Sequence, residues 1–337
     1  AVATLFAAAT GIVGAAVTIL GVMAAPIMMK SGYSAQLSAG SIAAGGTLGM
    51  LIPPSVMLVV MGPVVGAPIT ELFAAAFLPG FLLAFLYALY AVSRCYLNPS
   101  LGPALPVDQR AESVGQIMRE LFLGIIPLAF LIFAVLGSIL GGLATPTDAA
   151  AMGAMGSVFL ALVYGKLTWK NFKEAVFATV VTSSMILLLV AASNFYGPVF
   201  ARLGSATMIA QMLLDLQLPP TMILIMILGL IFLLGWPLEW VPIVLIVIPI
   251  FMPLIQELQI DLVWFCTLVA ICLQTAWLSP PVALSAYYIK GVVPEWSLGD
   301  IYAGMMQFMV IQVIGLLLVL FFPIIALWLP EVLFRGG

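Results

Sequence analysis

The chain has 337 residues, 64% of them hydrophobic and 7% charged, with a mean hydropathy of +1.28. Soluble domains carry about a quarter charged residues, so this composition specifies a polytopic membrane protein. Ten Lys and Arg against thirteen Asp and Glu leave −3 without a basic tract, which argues against a nucleic-acid partner. The chain has no His, which removes imidazole acid–base chemistry, H-E-x-x-H zinc sites and Ser-His-Asp triads together. Cys95, Cys266 and Cys272 lack C-x-x-C spacing and read as small hydrophobes in or beside apolar segments.

Ala1 stands inside an apolar run with no basic stretch and cleavage site after it, so the start is not a signal peptide. A preceding N-terminal portion is expected. Residues 1–29 are apolar, broken around Ala9–Gly14, and end in a polar loop, Lys30–Gln36. Residues 37–62 make one spanning length, interrupted at Gly49–Ser55 by Pro53-Pro54. A span over 71–96 leads into the polar stretch Asn98–Glu120. Residues 121–164 make two spans around Gly141–Asp148, where Thr147 and Asp148 read as an N-cap beside Pro146. A basic loop (Lys166, Lys170, Lys173), a span over 175–200 and an amphipathic piece over 203–218 follow. Residues 220–256 read as a re-entrant hairpin with its tip at Gly235–Trp240. Residues 262–289 are broken at Ala276–Val282 by Pro280-Pro281, and 301–328 are the last span.

Positive charge tests this layout. With 1–29 and 220–256 as hairpins that return to their own side, Lys30, Arg94, Arg110, Arg119, Lys166, Lys170, Lys173 and Lys290 share one side, which is read as cytoplasmic. Arg202 and Arg335 face the other. The hairpins then enter from opposite sides, each followed by a Pro-Pro-broken helix, and Leu51-x-Pro53-Pro54 aligns with Leu278-x-Pro280-Pro281. The expected architecture is therefore all-α, an inverted repeat with two re-entrant hairpins and two broken helices, the usual build of secondary transporters.

Consecutive prolines strand carbonyls where no water can satisfy them. Two pockets are expected, each a hairpin tip against its neighbouring break. The first gathers Ala7, Thr10 and Gly11 with Gly49, Ile52, Pro53 and Ser55. The second gathers Gly235 and Glu239 with Thr275, Ala276, Ser279, Pro280 and Val282. Exposed carbonyls suit a hard cation such as sodium, and helix N-termini suit a carboxylate. Glu239 is the acidic residue placed deepest in the membrane, either functional or merely reaching water at a hairpin tip.

The motifs ATGIVGA, GTLGMLIPPS, GGLATPTDAA, LEWVPIVLIVIPIFMPL, SPPVALSAYYIKGVVPE and DIYAG, in this order, resemble the large membrane subunit of TRAP (tripartite ATP-independent periplasmic) transporters. The resemblance covers essentially the whole chain. It implies a sodium-coupled, elevator-type importer of organic acids in the bacterial inner membrane, working with a small four-helix membrane subunit and a periplasmic substrate-binding protein. Residues 1–97 and 220–337 would form the transport domain and 98–219 the scaffold. The first sodium site carries over onto Ala7, Thr10, Gly49, Ile52 and Pro53, and the second onto Gly235, Ala276, Ser279 and Val282. Gly11, Ser55, Glu239 and Thr275 are assigned to the substrate. Ala7 and Ala276 depart from the more usual Ser, Thr or Gly, and Glu239 stands where many members have Asp. A self-sufficient sodium/anion symporter is the alternative; an intramembrane enzyme has no supporting motif.

Overall fold

The structure is a computed structural model and describes residues 2–104, 113–280 and 282–336. Ala1, Arg110 and Pro281, each used in the sequence reading, lie outside the described residues. Among the described residues all regular structure is helical, and six helices are long and apolar enough to cross a membrane.

Helix α1 (Val2–Thr10) and α2 (Val13–Lys30) form the first hairpin. Gly11 turns the chain with φ +61°, a left-handed conformation that glycine adopts without a Cβ penalty. Helix α3 (Ala35–Thr47) passes through a 3-10 turn (Leu48–Met50) into an irregular segment, and α4 (Val56–Val65) resumes after it. Ser55 ends that interruption as N-cap of α4, with its Oγ accepting from Leu58 N. Helix α5 (Ile69–Leu97) is 29 residues long.

From Pro220 the chain again runs through an apolar helix, a turn and an interrupted helix. Helix α11 (Pro220–Leu234) leads to a turn, and the chain continues through α12 (Trp240–Pro242), a π-helical turn (Ile243–Val247) and α13 (Ile248–Glu257). Helix α14 (Leu262–Gln274) has 13 residues, as α3 does, and again meets a three-residue 3-10 turn, Thr275–Trp277. Helix α15 (Leu284–Val292) and the long α16 (Leu298–Phe321) follow. The two breaks differ at their exits: Ala283, at φ +30°, opens α15 without a side-chain cap.

The two halves interlock, because α3 packs chiefly on α16 and α2, while α14 packs on α11, α5 and α16. Close approach explains the small residues in α3. A Cβ on Gly40 would stand 2.7 Å from Gly304 O, and one on Gly304 would collide with Gln36 O. Small residues at such crossings let backbones touch where water supplies no driving force between helices. At one end Arg335 bridges Glu71 (Nη2–Oε2 2.6 Å) and Asp261 (Nη1–Oδ2 2.7 Å), while Asp261 Oδ1 caps α14. At the other, Gln36 Nε2 donates to Asp300 Oδ1 at 3.0 Å.

Between the halves lie α6 (Val114–Gly124), α7 (Ile126–Leu140), α8 (Pro146–Val163), α9 (Trp169–Arg202) and α10 (Ser205–Leu214). Here the structure corrects four expectations. The helix expected from residue 121 begins within the polar stretch, at Val114. The cap before α8 is Thr145, whose Oγ1 accepts from Asp148 N at 3.2 Å and donates to Asp148 Oδ2 at 2.6 Å. Pro146 has no N–H and a preset φ, so it takes the first helical position and the cap must precede it. The 175–200 span extends to 34 residues in α9. The last span stops at Phe321; after Phe322 and Pro323, a short α17 (Ile324–Pro330) packs back on α5.

The hydrophobic segments predict an integral membrane protein, and the surface agrees. The apolar window of α9 is 0% buried, with Val181 66% and Leu188 71% exposed. Surface of this kind belongs against lipid or another apolar helix.

Gly304→Ala is expected to overpack the α3–α16 crossing and destabilise the protein by about 1–3 kcal/mol. A fall in the thermal unfolding midpoint of the detergent-solubilised protein checks this; an unchanged midpoint would show that the crossing has slack.

Candidate functional site

The first hairpin tip and the first break touch. Gly49 lies so close to Ala7 that a methyl group there would collide with Ala7 O, and a Cβ on Gly11 would stand 3.2 Å from Pro54 O. Ala7 is fully buried, and its carbonyl accepts from Gly11 N (3.0 Å) and Thr10 Oγ1 (3.1 Å). The structure thus brings Ala7, Thr10, Gly11 and Gly49 together. Ile52 and Pro53 line a different space, an apolar cavity of ≈ 370 Å³ between α1, α5 and α7 that includes Phe77 and Phe133. With their side chains against that cavity, the backbone carbonyls are what these two residues can offer an ion.

The second tip and break form a smaller cavity of ≈ 70 Å³ that gathers Gly235, Glu239, Ala276 and Val282. A Cβ on Gly235 would meet Ala276 Cβ at 3.1 Å. Ser279 is buried and turned elsewhere, its Oγ donating to Thr275 O (2.7 Å) and placed 2.9 Å from Met309 Sδ. It is near the second site in sequence but does not line its cavity.

A third cavity, of ≈ 210 Å³, lies between the tips. Gly11 and Glu239 line it from the two hairpins, Met50 and Trp277 from the two breaks, and Met185 from α9. Of the residues assigned to the substrate, Gly11 and Glu239 face this space. Ser55 and Thr275 do not: both are buried and back-bond to carbonyls, Ser55 to Met50 O and Thr275 to Cys272 O (2.6 Å). Hydroxyls that satisfy local carbonyls are what a helix break in an apolar medium requires. Three helices start at this cavity's edge, α2 at Val13, α4 at Val56 and α12 at Trp240, so N–H groups and positive helix ends point toward it. Glu239 opens on this cavity and on the smaller one, and contributes no side-chain cap to α12.

Sequence reasoning missed the aromatic wall and the α9 face of the central cavity. Trp277 stacks on Tyr288 (ring centroids 6.4 Å, 20° between planes), and both line it with Trp240. Trp277 follows Ala276 inside the second break, so its position carried a usable signal. Thr182 and Met185 carried none, because only tertiary packing brings α9 to the tips.

These contacts set the comparison with known proteins. Residues 1–325 match the family model described as the tripartite ATP-independent periplasmic transporter, DctM component. The chain is 30% identical over 346 residues to the C4-dicarboxylate TRAP transporter large permease protein DctM of Rhodobacter capsulatus, covering 98% of this chain and 76% of the relative. It is 31% identical over 320 residues to the sialic acid TRAP transporter large permease protein SiaM of Vibrio cholerae, covering 94% and 72%. The DctM of Pseudomonas aeruginosa is 29% identical over 330 residues, covering 97% and 75%. With two broken helices and two hairpin tips inside the matched region, this chain belongs to the large permease (DctM) component family of TRAP transporters, a family of transporter subunits and not of enzymes.

Proposed function

We propose that this chain is the large permease subunit of a sodium-coupled importer of an organic acid in the bacterial inner membrane. The observation that carries the reading is the central cavity, where both hairpin tips and both breaks converge. Three relatives are named for C4-dicarboxylates, sialic acid and 2,3-diketo-L-gulonate, all organic acids. Helix N-termini around the cavity suit a carboxylate, and close-packed glycine and carbonyl groups at each tip suit a dehydrated monovalent cation.

In this reading one sodium ion sits at Ala7, Thr10, Gly49, Ile52 and Pro53, and a second at Gly235, Ala276, Ser279 and Val282. Glu239 lies between the second ion site and the substrate. A carboxylate there repels an anionic substrate unless a cation stands between them, which ties substrate binding to sodium. Equal lengths of α3 and α14 and the matching order around them support an inverted repeat. Residues 1–97 and 220–337 then move as one elevator-like transport domain against scaffold residues 98–219. The exposed apolar faces of α8 and α9 suit lipid and a small four-helix membrane subunit, and a periplasmic binding protein delivers the acid.

The test is uptake in proteoliposomes containing the large and small subunits, with the binding protein outside. Replacing sodium by potassium is expected to abolish accumulation; uptake without sodium would overturn the coupling. Uptake by the large subunit alone would favour a self-sufficient symporter. Gly235→Leu and Glu239→Gln are each expected to raise the sodium concentration for half-maximal uptake several-fold. Unchanged sodium dependence in both would remove the second site. Cysteine placed at Arg94 or Lys170 is expected to react with impermeant reagent only from the cytoplasm, and periplasmic labelling would reverse the topology.

A further inference from the structure

A buried polar cluster lies away from all three cavities, between the two breaks. Gln312 of α16 is fully buried, and its Nε2 donates to Gln274 Oε1 at 2.7 Å and to Ile271 O at 2.9 Å. Tyr87 of α5 donates to Gln312 Oε1 at 2.9 Å, and beside it the Thr47 hydroxyl donates to Ala44 O at 2.8 Å. Gln274 Nε2 is buried without a protein partner, so the cluster is polar beyond what its own bonds consume.

Its placement gives it meaning. Thr47 is the last residue of α3 and Gln274 the last of α14, each six residues ahead of its first proline. Two residues after each comes a residue at a proposed ion site: Gly49 against Ala7, and Ala276 against Gly235. Thr47, Tyr87, Gln312 and Gln274 therefore follow one another from the entrance of one break to the entrance of the other, hydrogen-bonded side chain to side chain from Tyr87 to Gln274. Apolar side chains would fill this volume without a desolvation cost. A connected polar network instead fixes one relative arrangement of the elements it joins.

We infer that Gln312 and Tyr87 are positioning residues that couple the two ion sites. Ordering of one break by its cation is transmitted to the other through this cluster, and the effect runs equally in both directions. The inference rests on the two-site sodium reading above.

The experiment measures sodium dependence of uptake by the complete transporter in proteoliposomes for wild type, Tyr87→Phe, Gln312→Leu and Gln307→Leu. Gln307 is a control on the same helix; it accepts from Tyr90 and Arg94 of α5. Wild type is expected to show a Hill coefficient of about two, and Tyr87→Phe and Gln312→Leu to bring it toward about one while uptake at saturating sodium persists. Gln307→Leu is expected to keep the wild-type coefficient. If Gln312→Leu folds too poorly for uptake, Tyr87→Phe, which loses only one hydroxyl, decides the matter. Its sodium-dependent thermal stabilisation in detergent gives an independent coefficient. An unchanged coefficient in both cluster variants, or an equal fall in Gln307→Leu, overturns the coupling. Sodium-independent wild-type uptake removes the two-site reading itself and the inference with it.

Discussion

The structure depends on one constraint: a backbone that leaves its helix inside an apolar medium must find partners for its carbonyl and amide groups within the protein. This chain interrupts α3–α4 and α14–α15 near their middles. Both interruptions are surrounded by devices that meet the constraint. Hydroxyls of Thr47, Ser55, Thr275 and Ser279 bond back to nearby carbonyls. The hairpin tips close on the remaining groups, near enough at Gly49 that no side chain fits between. Carbonyls held in place with few covalent neighbours to shield them are also what a sodium ion needs. The hydroxyls occupy the carbonyls of Ala44, Met50, Cys272 and Thr275, and the proposed ion ligands are other groups of the same breaks and tips.

Burial follows from that constraint. Helices α3 and α14, which carry the breaks, are the most enclosed elements, and each is covered by a long helix from the other half. Their polar residues sit inside, their glycines and alanines permit contact, and Arg335 ties Glu71 and Asp261 across the end of the bundle. Helices α8 and α9 have the opposite character. They bury almost nothing within this chain and present Val, Leu and Phe outward, as expected of helices that meet lipid or another subunit.

Much of this was legible in the residues. Hydropathy located the spans, because the cost of polar groups in lipid acts on each segment separately. Pro53-Pro54 and Pro280 marked the breaks, since proline cannot continue a helical ladder whatever surrounds it. Gly11 marked the first tip for the same local reason. The cap before α8 was misplaced by two residues because Thr145, Thr147 and Asp148 all have capping chemistry, and only the position of Pro146 in the helix distinguishes them. The hydroxyl orientations of Ser55, Thr275 and Ser279 were not legible for a related reason. A hydroxyl near a site can point into it or bond to its own backbone, and composition does not distinguish the two.

By itself, the sequence determined the class of protein and the position of each interruption, because these rest on local properties of proline, glycine and apolar runs. Tertiary structure alone decided that Gly11 and Glu239 share one cavity while Ile52 and Pro53 border another. It also brought Trp277 and Tyr288 together as an aromatic wall and placed α9 across the tips. In the buried cluster of Thr47, Tyr87, Gln312 and Gln274, the hydrogen-bonded pair Tyr87 and Gln312 are 225 positions apart. Contacts of that kind depend on how helices cross, and helix crossing is set by packing across the whole bundle rather than by any local pattern.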